Sequence, residues 1–229
     1  MRCPEVHEIV NLIDRTRGTS LLDKIRALLD LTCPDGSFES ETAGARNSRL
    51  LRLRRMTFGR RMACLATCPA CAEVMEFDLD TDDFRYQAQT EPVFVEHDGY
   101  ELQFRLPTLS DVEAAARAPA PARVLMEACL MSPGPVDLDD PDLQDAVSRG
   151  FDRADPLGCI TIETACPACT ARAMPVLDPA GLLWEEYAAS ARQIEEDVHI
   201  LARAYGWAER DIMALPNARR RRYVERIAS

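Results

Sequence analysis

The chain has 229 residues, 47% of them apolar and 28% charged, proportions of a folded soluble protein that argue against wholesale disorder. Its formal net charge of −11 argues against broad, sequence-independent contact with nucleic acid, which needs a basic surface that releases counterions. Glu5, Glu8 and Asp14 interrupt every apolar run near the start, so that stretch reads neither as a secretory signal nor as a membrane-spanning helix, and the cytoplasm is the expected location.

In chain order, Leu21, Leu22, Ile25, Leu28 and Leu29 fall on one helical stripe over residues 21–31, with Ser20 as cap. Pro34, Asp35 and Gly36 form a turn signal, and Ser37 to Asn47 carry no period and read as a loop. An Arg-rich helix is expected from Ser48 through Leu50, Leu51 and Leu53 to about Gly59. The period then becomes alternating. Met75, Phe77 and Leu79 alternate with acidic residues as in a half-buried strand. Residues 92–97 and Tyr100, Leu102, Phe104 and Leu106 make a hairpin around Asp98-Gly99, a favoured two-residue turn. Thr108 with Asp111 reads as a capping box opening a helix to about Ala118. Further helices are expected over 123–130 and 143–153, with an exposed acidic loop from Ser132 between them. Ile160 and Ile162, then Met174 and Val176, suggest a third strand pair. Tyr187, Ala191, Ile194, Val198, Leu201 and Tyr205 form a heptad seam that either packs on the chain's own core or serves another subunit. Short helices over 208–215 and 217–227 complete the chain.

Nine cysteines cannot all pair as disulfides within one chain. Cys3, Cys33, Cys64, Cys129 and Cys159 are scattered and read as small buried hydrophobes. The other four form two C-x-x-C strings with the same central Pro-Ala, TCPACAEVMEF from Thr67 and ACPACTARAMP from Ala165. Strand-like sequence on both sides places each pair at the tip of a hairpin, which aims two sulfurs at one point. Two such knuckles supply a closed tetrahedral four-thiolate shell, so Cys68, Cys71, Cys166 and Cys169 are the expected ligands of one structural Zn2+. A redox dithiol is the rival reading, but redox C-x-x-C motifs open a helix, and here the sequence continues as a strand. Metal-free remnant pairs are the third.

No catalytic constellation stands out. His7, His97 and His199 lie in no H-E-x-x-H pattern, and no phosphate-binding Gly-rich loop or nucleophile elbow occurs. His199 reads as structural and His97 as exposed. Lys24 is the only lysine among 27 basic residues, a bias read as codon composition before phosphate recognition. Trp184, Tyr205, Trp207 and the run Arg219, Arg220, Arg221 and Arg222 are candidate partner contacts, each set against core packing or a solvated helix end.

Four strings carry a family resemblance: LLRLRRMTFGRRMACLATCPACAEVMEFDLD from Leu50, FRLPTLSDVEAAA from Phe104, ADPLGCITIETACPAC from Ala154, and WEEY with DVHILARAYGWAERDIMALPNARRRRYVE between Trp184 and Glu225. In this order, over roughly residues 20–227, the chain resembles the T4-type baseplate hub proteins of contractile phage tails and phage-tail-like injection systems. The resemblance implies a baseplate or hub component, or a factor assisting its assembly, with other baseplate, hub or tube proteins as partners. It implies no enzyme activity, small-molecule substrate or membrane role. The alternative from the residues is a zinc-ribbon nucleic-acid-binding or regulatory module. The expected fold is α+β: an N-terminal helical region (1–59), a β-hairpin zinc-knuckle core (60–178) with a helical insertion at about 108–155, and a C-terminal helical arm (179–229).

Overall fold

The structure is a computed structural model that describes residues 1–34, 38, 40–87, 91–132 and 136–228; Asp35, Gly36 and part of the loop after Ser132 lie outside these. In chain order the elements are helices α1 (Val6–Arg15), α2 (Leu21–Thr32) and α3 (Ala43–Phe58), strands β1 (Arg61–Thr67), β2 (Val74–Asp80), β3 (Val93–His97) and β4 (Tyr100–Phe104), and helices α4 (Leu109–Ala116), α5 (Pro121–Cys129) and α6 (Pro141–Ala154). Four two-residue strands follow, β5 (Ile160–Thr161), β6 (Thr164–Ala165), β7 (Arg172–Ala173) and β8 (Val176–Leu177), then helices α7 (Pro179–Tyr205), α8 (Glu209–Met213) and α9 (Asn217–Ala228). The class is α+β, with strands paired as β1–β2, β3–β4, β5–β8 and β6–β7, all antiparallel. Among the described residues no helix is long and apolar enough to cross a membrane.

The chain divides into two compact units, Met1–Gly36 with Ala180–Ser229, and Ser37–Pro179. The regions read along the sequence are consecutive, whereas in space the first two helices group with the last three.

In the first unit, Ser20 caps α2 by accepting from the Asp23 amide at 3.2 Å. At α1, where Val6, Ile9, Val10 and Ile13 recur at helical spacing, Glu8 accepts from the Glu5 amide at 2.8 Å and from both terminal nitrogens of Arg2 at 2.6 Å. The heptad residues Tyr187, Ala191, Ile194 and Leu201 of α7 are buried within the chain itself. Asp197 is buried in the same stripe and accepts from Arg220 Nε at 2.9 Å and from Gln193 at 2.9 Å, with both ion-pair side chains 2% exposed.

In the second unit, β3–β4 turns at Asp98 and Gly99, whose φ values of 49° and 80° are those of the primed turn that matches strand twist. Its inner residues Val93, Val95, Leu102 and Phe104 pack with Met126 and Cys129 of α5 and Leu143 and Val147 of α6. Thr108 and Asp111 form the expected capping box, and Arg105 adds a pair to Asp111 at 2.6 Å; that guanidinium and the Thr108 bonds hold the Asp111 carboxyl well below the usual carboxylate range.

One expectation is overturned. Helix α3 starts at Ala43, capped by Thr42, and not at Ser48. Its first turns show no hydrophobic period because the residues they bury are Gly44 and Asn47, whose partners are polar and lie more than a hundred residues away.

Candidate metal centre

The two cysteine hairpins are built alike. In the first, the Cys68 amide donates to the Glu73 carbonyl at 2.8 Å and the Ala72 amide to the Cys68 carbonyl at 3.0 Å; in the second, Cys166 donates to Ala171 at 2.9 Å and Thr170 to Cys166 at 2.9 Å. Ala72 and Thr170, each following the second cysteine of its pair, both sit at φ 60°, a left-handed conformation that lets the chain reverse tightly enough to leave both sulfurs on one side. The last paired residues are Thr67 with Val74 and Ala165 with Arg172. Each string therefore occupies the tip of a hairpin and not the start of a helix, which removes the helix dipole that a redox dithiol uses.

The hairpins bring their four sulfurs to one point. Cys68 Sγ lies 3.7 Å from Cys169 Sγ and Cys71 Sγ 3.6 Å from Cys166 Sγ, and all four ligand atoms lie within 4.8 Å of one another. A tetrahedral site with metal–sulfur bonds of about 2.3 Å has sulfur–sulfur edges of about 3.8 Å, so the set fits a closed four-thiolate shell. Cys68 and Cys166 are buried, packed with Met75, Ala173 and Ala66, while Cys71 and Cys169 lie nearer solvent.

The local electrostatics favour a cation. Amides of Ala70 and Cys71 hydrogen-bond the Cys68 sulfur and bring its thiol down to about 7. At Cys71 the Glu73 amide also pulls the thiol down, but the Cys169 sulfur, desolvation and the sulfurs of Cys166 and Cys68 together push it up to about 12. One thiolate thus forms readily while Cys71 resists. A bound metal ion removes that resistance by neutralising the thiolates it gathers.

Of the scattered cysteines, Cys33, Cys64 and Cys129 are buried as expected, and burial pushes the Cys129 thiol up to about 11. Cys3 and Cys159 are exposed, which corrects their reading as buried hydrophobes. His97 is also corrected: its side chain is only 15% exposed and its Nε2 lies 3.0 Å from Asp140 Oδ2. Asp140 caps α6 through one carboxylate oxygen and meets the ring through the other.

The candidate contacts separate. Trp184 is 6% exposed, with Lys24 Nζ 5.4 Å from its ring centroid, and Arg220 is 1% exposed; both serve the interior of the first unit. Tyr205 is 43% exposed and stacks on Trp207 at 4.8 Å, and Tyr223 meets Trp207 edge-on at 5.1 Å. Arg219, Arg221 and Arg222 are exposed on α9. Three residues tied to the cysteine arms, Gly44, Asn47 and Asp155, went unread in the sequence. The only trace was Asp155 inside the ADPLG string.

Residues 19–132 match the family model described as T4 bacteriophage base plate protein. The matched stretch contains Cys68 and Cys71 and ends before Cys166 and Cys169. No curated protein and no solved structure matches the chain. Over residues 19–132, about half of its length, the chain belongs to the T4 bacteriophage base plate protein family.

Proposed function

We propose that the protein is a non-enzymatic structural or assembly component of the baseplate or hub of a contractile phage-tail-like injection system. The family match over residues 19–132 carries this reading. The cysteine centre supports it, because a closed four-thiolate shell leaves no position for water or substrate and is the form of structural Zn2+. In this reading Cys68, Cys71, Cys166 and Cys169 hold the zinc, and the protein is made in the bacterial cytoplasm before acting on or entering the particle. Its partners are other baseplate, hub or tube proteins. The exposed guanidinium groups of Arg219, Arg221 and Arg222, beside Tyr205 and Trp207, face an acidic surface on one of them. Arg and aromatic residues are the types that dominate protein interfaces. Arg220, buried against Asp197, holds α9 from within, and neither it nor the buried Trp184 touches the partner.

Deleting the gene and imaging the particles tests the reading. Absent, misassembled or non-contracting tails are expected, and normal tails with full contraction would overturn it. Metal analysis of the purified protein tests the zinc separately, with one equivalent expected. The cysteine knuckles and the exposed arginines of α9 are what favour nucleic acid, and salt-sensitive DNA or RNA binding would move the proposal to that alternative.

A further inference from the structure

The two arms that carry the cysteine hairpins meet a second time, away from the sulfurs. One arm is α3, which runs through Gly59 and Arg60 straight into β1 and Cys68; the other is the Asp155–Gly158 turn, which leads through β5 and β6 to Cys166. In the first turn of α3 the Gly44 amide donates to Asp155 Oδ2 at 2.8 Å, and one turn on, Asn47 Nδ2 donates to the Leu157 carbonyl at 2.7 Å. The Gly158 amide closes the turn on the Asp155 carbonyl at 2.8 Å. Asp155, Asn47 and Leu157 are all buried, at 6%, 4% and 5% exposure. The approach is so close that a Cβ on Gly44 would stand 1.6 Å from Asp155 Oδ1, so any larger residue there must displace the carboxylate. A carboxylate at the start of α3 is also favoured by the helix dipole.

We propose that Asp155, held by Gly44 and supported by Asn47, is a positioning residue of the metal centre: it latches the two arms together so that the cysteine pairs face each other before the metal binds. None of the three is a ligand, and the latch acts through the arms. Without it the metal must close the long chain between Cys71 and Cys166 by itself, against a loop entropy that grows with the logarithm of loop length. The tie between residues 44 and 155 closes most of that loop in advance. It also explains why ADPLG precedes the second cysteine pair: Asp155 is the latch, and Gly158 lets the turn pass close to it.

This inference rests on the zinc reading, and one set of measurements separates the two. Zinc affinity of the full chain is read by competition with a chromophoric chelator. Asp155→Ala, Gly44→Ala and Asn47→Ala are expected to bind zinc about 10–100-fold more weakly, the range typical of residues that orient metal ligands. Asp155→Asn keeps an acceptor for the Gly44 amide and stays within about 3-fold of the parent. Cobalt in place of zinc shows the same four-thiolate charge-transfer bands in every variant, because the ligands are untouched. Val147→Ala, in the separate apolar cluster, lowers thermal stability and leaves zinc affinity unchanged. Unchanged affinity in Asp155→Ala and Asn47→Ala overturns the latch, and so does an equal loss in Val147→Ala at matched stability. Should Asp155→Ala not fold, Asn47→Ala and Asp155→Asn carry the same comparison. A parent protein that holds no zinc overturns the metal reading instead.

Discussion

The β3–β4 hairpin and the cysteine hairpins are built from the same antiparallel ladders but are held in place by different forces. Val93, Val95, Leu102 and Phe104 bury one face of β3–β4 against α5 and α6, so apolar contact chiefly fixes its position, with backbone bonds to Cys129 and Met131 and the His97–Asp140 pair beside it. At their tips the cysteine hairpins share Met75, Ala173 and the half-buried Ala66 beside Cys68 and Cys166, and Leu65, Val74, Met174 and Val176 on the same hairpins are 60–72% exposed. Where a hairpin has too little apolar surface to bury, a few directed polar or metal bonds take over.

The sharpest test removes the metal. Cys166→Ser, or chelation of the parent, is expected to cost the cysteine hairpins on the order of 10 kcal/mol, the whole of their stability. Hydrogen exchange should then lose protection over residues 61–80 and 160–177 while the amides of Val93 to Phe104 stay protected; loss of both together would erase the contrast. The reciprocal change is Phe104→Ala. This ring is fully buried and meets Phe151 edge-on at 6.3 Å, and its loss should cost about 3–5 kcal/mol in chemical denaturation with zinc content unaltered.

The first unit asks whether directed bonds elsewhere follow the same rule. Arg220→Ala leaves Asp197 charged and buried and should cost about 3–5 kcal/mol, whereas replacing both by apolar residues of similar volume should come out near neutral in thermal melts. A similar loss in the double variant would mean that the pair does more than satisfy itself. The smallest effect concerns Glu8, held at about 2 chiefly by its Arg2 hydrogen bonds. A carboxyl depressed by folding stabilises above its unfolded value and loses that contribution as pH falls from about 4.5 toward 2. Arg2 is half exposed, so solvent screening keeps the effect small. Arg2→Ala should flatten the acid limb of the stability profile by that small amount.

What the sequence revealed follows from how local each interaction is. The four cysteines were legible because C-x-x-C with flanking alternation is a complete statement within a dozen residues. Asp98-Gly99 was legible for the same reason. The start of α3 was not, because Gly44 and Asn47 answer to Asp155 and Leu157, and no hydrophobic period marks a polar contact made across so long a stretch of chain. The arginine run misled in one place. Arg219 to Arg222 read alike in sequence, yet the helix turns Arg220 inward to an aspartate concealed between Ile194 and Val198 of the seam.

The spacing of the two cysteine pairs sets an order of events during synthesis. Cys166 follows Cys68 by 98 residues, which at ordinary elongation rates is roughly 5–20 s of translation. Throughout that interval the first pair stands as half a site, able to offer two sulfurs and no more. Asp155 leaves the ribosome before Cys166 and Cys169 do, so the arms can be joined while the last two ligands are still being made. The metal then arrives at a destination already assembled, and its capture becomes the closing step of folding for this unit.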